Sequence, residues 1–121
     1  MGTSSLVHLH AVKTQHIVWK MKFRSLLNGN GDVDREEIKD HRRTELGKWI
    51  EISSHGNMIK ETNFRSLIEK NIEFHQLAED ALIKHQQKNS TVVRDILNRM
   101  EKTSADISHL INELSFVENI N

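Results

Sequence analysis

The chain carries no proline and only five glycines in 121 residues, and this scarcity of breakers constrains its fold more than any other feature. Proline removes a backbone donor and ends or kinks a helix, while glycine is the usual residue just past a helix end. The glycines are Gly2, Gly29, Gly31, Gly47 and Gly56. Leu6 to Leu27 therefore runs unbroken, and Asn28-Gly29-Asn30-Gly31 closes it with residues that tolerate left-handed backbone. Asp32 to Thr44 is polar and compatible with helix. Gly47 to Gly56 holds a short element around Lys48-Trp49-Ile50. Helix-compatible sequence resumes near Met58 and continues to Gln87. Asn89-Ser90 reads as a turn with an N-cap, and a last helix is predicted from Thr91 to about Phe116. No stretch keeps period-two alternation long enough to argue for a sheet, and there is no internal repeat.

Apolar residues recur at steps of three and four, as on one face of a helix. The first segment gives Leu9, Val12, His16, Trp19, Phe23 and Leu26. The third gives Phe64, Ile68, Asn71, His75, Ala78 and Leu82. The last gives Val93, Ile96, Met100, Ser104, Ile107, Ile111 and Leu114. Sustained stripes of this kind predict an all-α fold, an antiparallel bundle of four main helices with a short extra element carrying Leu46-Gly47-Lys48-Trp49. Two stripes are interrupted on their inward side by a histidine, His16 in one and His75 in the other, and Asn71 lies one turn before His75. An uncompensated buried polar group costs roughly 1–3 kcal/mol, so these side chains need partners or a ligand.

Charge and composition exclude several classes. Lys+Arg and Asp+Glu both total 17, giving zero net charge with His neutral. That balance offers no electrostatic footprint for nucleic acid or an anionic membrane. No apolar run approaches the ~20 residues that span a bilayer. The opening MGTSSLVHLH lacks a basic region and a signal-like apolar block, so the chain is expected to be cytoplasmic. Residues 1–121 read as a single domain, with residues 1–5 as a cloning remnant or a disordered end. Cysteine is absent, which removes disulfides, thiolate ligands and thiol redox chemistry.

Three blocks, HIVWK at 16–20, DHRRTELGKWI at 40–50 and NIEFHQLA at 71–78, resemble the chemoreceptor zinc-binding (CZB) domain family. These are small cytosolic helical bundles appended to bacterial chemotaxis receptors and to some diguanylate cyclases. The resemblance runs from about Leu6 to His85, and the segment SLVHLHAVKTQHIVWK is closer to the receptor-appended branch. The family holds zinc with three His and one Cys. Carried over residue by residue, the resemblance places those ligands at His16, Thr44, Asn71 and His75. Half the ligand set is thus replaced. A threonine hydroxyl stays protonated near neutral pH, and an amide oxygen is a hard, neutral donor suited to calcium rather than zinc. Asp40, His41 and Glu45, near Thr44, are candidate replacement ligands. The expectation is nevertheless that zinc binds weakly or not at all, and that His16, Thr44, Asn71 and His75 close into a hydrogen-bonded cluster, with or without a water. The resemblance further implies a homodimer, with chemotaxis or other signalling proteins as partners, and Ile17, Val18 and Met21, apolar outside the main stripe of helix 1, put that helix in the expected interface.

Other constellations carry less. NGNGDVD at 28–34 approaches a calcium loop, but Val33 stands where glycine is needed and Lys39 where a bidentate Glu is needed. His75-x-x-x-Glu79 resembles di-iron bundles of the hemerythrin type, which require more His and carboxylates than these faces supply. His8, His10, His55, His85 and His109 have no paired spacing and are expected to be exposed. Trp49 could mark a partner surface, but the resemblance implies that it packs beneath the short element. There is no nucleophile elbow and no phosphate-binding glycine loop, so the chain reads as non-enzymatic. The resulting expectation is a sensory or regulatory accessory domain of a bacterial chemotaxis-type signalling protein. The alternatives are a metal-free structural or dimerisation bundle and a hemerythrin-like metal-binding bundle.

Overall fold

The structure is a computed structural model that describes residues 2–29 and 33–120, with side chains placed for 9–29 and 33–116. The described residues form five α-helices and two 3-10 turns, with no strand. The helices are α1 (Gly2–Leu27), α2 (Arg35–Lys39), α3 (Glu45–Ser53), α4 (Thr62–Gln86) and α5 (Ser90–Ile120). Helix α1 takes in Gly2–Ser5, which the sequence leaves outside the bundle. Met1 lies outside the described residues.

Helices α4 and α5 form an antiparallel hairpin, and Lys70 pairs with Asp106 across it at 3.5 Å. The tight turn is made by Lys88, which adopts a left-handed backbone at φ 60, and by Asn89, whose Oδ1 accepts the Val92 N–H at 3.4 Å. Helix α1 crosses α5 in the opposite sense. Its contacts step from Lys13 on Asn112, through His16 on Ser104, to Lys20 on Glu101. Helices α1 and α4 therefore run the same way, and the crossover 33–61 links them while α3 packs on α1 and α2 on α4.

The expected arrangement of four main helices needs correction here. Among the described residues three helices are long, and the remaining side is filled by short segments. The cause is local capping. Asp34 accepts the Glu36 N–H at 2.9 Å and starts α2. Asp40, extended at φ −119 and ψ 100, accepts the Arg42 N–H and starts a 3-10 turn over His41–Arg43. Thr44, also extended, accepts the Gly47 N–H at 3.1 Å and starts α3. Each of these side chains offers its neighbours' N–H groups an alternative to one continuous helix. Helix α4 begins only at Thr62, after a 3-10 turn over Asn57–Lys60 and an extended Glu61, and neither of these two starts has a side-chain cap.

Within α3 the backbone of the preceding turn comes very close to Gly47. A Cβ there would collide with the His41 carbonyl oxygen and stand 2.7 Å from the Arg42 Cα. Glycine is required at this position for space rather than for unusual dihedrals. Two residues on, Trp49 is buried and meets Phe64 edge-on at 5.7 Å, as expected for a residue beneath the short element.

The last stripe is buried as predicted, from Val93 to Leu114. In α1 Leu27 rather than Leu26 completes the buried face. The α4 face is rotated from the expected one. Leu67, Phe74, Leu77 and Ala81 are buried beside Phe64, Asn71, His75 and Ala78, whereas Ile68 and Leu82 are only half-buried. No helix among the described residues is long and apolar enough to cross a membrane.

Candidate functional site

A cavity of about 280 Å³ opens between α1, the crossover and α4. Three of the four ligand positions that the resemblance gives line it: His16 from α1, Thr44 at the start of α3, and His75 from α4. Asn71 does not line it but is buried one turn below His75 at 1% exposure. Three of the four positions therefore meet at the cavity, Asn71 stays apart from it, and the four do not bond to one another as a closed cluster, which corrects that part of the expectation.

Each has a different partner. His16 Nε2 and Ser104 Oγ share a buried hydrogen bond of 2.9 Å. Ser104 is legible in the sequence as a polar break in the α5 stripe, although spacing alone does not pair it with His16. Thr44 is fully engaged: its hydroxyl donates to the His41 carbonyl at 3.2 Å and accepts the Gly47 N–H. Neither Nδ2 nor Oδ1 of Asn71, nor Nδ1 of His75, has a protein hydrogen-bond partner.

Aromatic rings surround the two imidazoles. Phe74 packs edge-on to His16 at 4.9 Å, and Trp19 lies 4.8 Å from His75. Trp19 itself stacks on Phe23 at 5.6 Å. In this apolar setting burial disfavours the charged ring. It pushes the pKa of both His16 and His75 down to about 4, their ordinary value being 6.5. The facing His75 and then Lys20 lower His16 further by repulsion. For His75, backbone groups at Ile38 and Glu37 and the Asp40 charge favour the protonated ring, while His41 opposes it; burial prevails. Both rings are thus neutral at pH 7.

The candidate replacement ligands are dispersed. Asp40 is bound by Arg42 at 2.9 and 3.2 Å, which holds its carboxyl down at about 2. The His41 ring stands 6.5 Å from that of His75. Glu45 is exposed, lines the cavity and lies 3.8 Å from Lys48. Glu37 carries no signal in the sequence that marks it for this site. It lines the cavity, and its Oε2 accepts the Trp19 indole N–H at 2.8 Å.

Zinc chemistry does not fit this donor set. The Thr44 hydroxyl is already spent on both sides of its cap, the His16 Nε2 is bound to Ser104, and Asn71 offers a neutral amide. No group of three or more His, Asp or Glu side chains stands in metal-holding geometry among the described residues. The calcium-loop candidate at 28–34 includes 30–32, which lie outside the described residues, as does the side chain of His8. His10, His55, His85 and His109 are exposed. No family model matches the chain, and no curated protein or solved structure compared with it matches either.

Proposed function

We propose that this chain is a sensory or regulatory domain of a bacterial chemotaxis-type signalling protein, related to the chemoreceptor zinc-binding bundles, in which the zinc-type site has been abandoned. In this reading the protein is a cytoplasmic, non-catalytic homodimer, and the capped crossover is the shortened fourth wall of a four-helix bundle. The observation that supports it is the convergence of His16, Thr44 and His75, from three separate segments, on one cavity with Asn71 a turn away. The resemblance implies a common site for all four, and the three that meet are too far apart in sequence to be gathered by local structure.

The test is to rebuild the site. Thr44→Cys with Asn71→His restores a three-His-one-Cys donor set, so zinc affinity measured against a chelator of known strength should rise by more than about 100-fold over the parent chain. The Thr44 change also removes a helix cap worth about 1 kcal/mol, so the variant should melt lower without zinc and higher with it. No gain in zinc affinity would mean that these positions do not form a ligand set, and the reading would fall. A metal-free dimerisation bundle is the second reading. It is favoured by Ile17 and Met21, which leave 37% and 61% of their surface exposed on α1.

A further inference from the structure

Helix α1 ends on a chemically reactive dipeptide, Asn28-Gly29. Both residues are exposed and form the turn that leaves the helix. The side-chain carbonyl of an asparagine can be attacked by the backbone nitrogen of the next residue, which closes a five-membered ring. A side chain on that next residue obstructs the approach, and glycine has none. Gly29 adopts a left-handed backbone at φ 83, so the end of the helix itself calls for the unhindered neighbour. The space beside it is open, since a Cβ built there would meet nothing within 4 Å. One bond opposes the attack: the Gly29 N–H donates to the Leu26 carbonyl at 3.1 Å. It is the last bond of an exposed helix end, and such ends fray. Other exposed asparagines are held or hindered. Asn89 precedes a serine, but its Oδ1 is engaged by the Val92 N–H. Asn57, Asn98 and Asn112 precede Met58, Arg99 and Glu113, whose side chains crowd the nitrogen.

We propose that Asn28 is a site of spontaneous deamidation. The Gly29 nitrogen gives its proton to solvent base and bonds to Asn28 Cγ. The bond from Cγ to the side-chain nitrogen breaks, and that nitrogen leaves as ammonia. Water then opens the cyclic imide at either carbonyl. One opening leaves an aspartate, the other an isoaspartate whose main chain runs through the side-chain carbon. In both products a neutral amide has become a carboxylate, so the net charge falls by one from zero. The new charge stands at the C-terminal end of α1, where the helix dipole opposes it. The isoaspartate also adds one carbon to the backbone of the connection that delivers Val33 and Asp34 to the cavity. The step consumes only water and does not depend on the regulatory reading above.

The test is to age the folded full chain in mildly alkaline buffer at physiological temperature, digest it with trypsin and map it by mass spectrometry. The peptide from Ser25 to Arg35 should gain one mass unit at position 28 and separate into two forms, the isoaspartate form the larger. Fragmentation distinguishes Asn28 from Asn30, which shares the peptide and lies outside the described residues. Asn28→Gln changes an exposed side chain and lengthens it, so that closure needs a six-membered ring. It should keep the fold by circular dichroism and lose the conversion at position 28. A sample aged in urea reports the reaction with the helix end unfolded. Absence of conversion at position 28 in the folded chain would overturn the proposal, and conversion in urea alone would trace the failure to the bond between Gly29 and Leu26. Conversion of Asn89 or Asn98 ahead of Asn28 would overturn it as well.

Discussion

The α4–α5 hairpin and the crossover at 33–61 both bury apolar surface, but they are held by different physics. In the hairpin two long helices lay continuous stripes against each other, and no single residue decides the outcome. Phe64, Leu67, Phe74, Ile107 and Ile111 are all fully or almost fully buried, and the loss of one leaves the others in register. In the crossover, helices too short to persist alone are positioned by three side-chain caps and one glycine. There a single atom in the wrong place has nowhere to go. The site lies where these two regimes meet: its histidines come from the long helices, and much of its rim from the crossover.

Gly47→Ala is the most severe way to test this contrast. The added methyl meets the backbone of His41 and Arg42 rather than a flexible side chain, and overpacking that cannot relax commonly costs 1–3 kcal/mol and sometimes more. Here the loss should exceed about 3 kcal/mol, seen as a large drop in thermal midpoint. Unchanged stability in this variant would show that the crossover can slide, and the distinction between the two regions would weaken.

How much of this is legible in the sequence follows the same divide. Periodicity locates the long helices and places His16, Asn71 and His75 on inward faces. It misjudges the α4 face, because Ile68 and Leu82 are as apolar as Leu67 and Leu77, and a three-four repeat alone does not choose between adjacent stripes. It reads Asp32–Thr44 as helix-tolerant and passes over Asp34, Asp40 and Thr44 as caps, although their residue types carry that signal. Thr44 draws attention as a lost ligand, while its hydroxyl makes the bonds of an N-cap. The need for Gly47 is not legible locally, since it depends on where the preceding turn passes. The carboxylate of Glu37 beneath Trp19 is equally a product of tertiary placement.

Acid should separate the regions next. His16 and His75 are held neutral, with pKa values of about 4 against 6.5 in the unfolded chain. As the pH falls through 6.5 the unfolded state binds protons that the native state refuses, so stability that is fully present above pH 6.5 is lost progressively down to about pH 4. Each imidazole should account for about 2 kcal/mol between pH 7 and pH 5, somewhat less in combination because they repel. Urea denaturation at pH 7, 6 and 5 measures this. His16→Gln with His75→Gln should flatten the profile, and a slope that survives both changes would place the sensitive groups elsewhere.

The two buried polar residues at the site sharpen the comparison in opposite directions. Ser104→Ala strands the His16 Nε2 and should cost about 1–2 kcal/mol. Asn71→Leu removes two polar atoms that have no protein partner and should stabilise the chain by about 1 kcal/mol. Both are read as shifts in denaturation midpoint at constant m-value. If Asn71→Leu destabilises instead, the amide has a partner that matters, and the core beneath the cavity is polar rather than merely unsatisfied.

The smallest effect belongs to the hairpin's own turn, where the link between α4 and α5 depends on a single backbone conformation. Lys88 sits at φ 60, where a side chain crowds the following carbonyl and glycine does not. The surrounding backbone is already tied: the Lys88 and Asn89 N–H groups donate to the His85 and Lys84 carbonyls at 3.0 Å each, as in a helix end closed by a left-handed residue. Lys88→Gly therefore keeps every bond and removes only the strain, less the extra freedom glycine gives the unfolded chain. A gain of about 0.5–1 kcal/mol is expected, or a rise of a few degrees in thermal midpoint. Hydrogen exchange should localise the added protection to the facing ends of α4 and α5. If protection rises equally in the crossover, the turn and the caps belong to one cooperative unit, and the division between a self-sufficient hairpin and a dependent crossover would have to be redrawn.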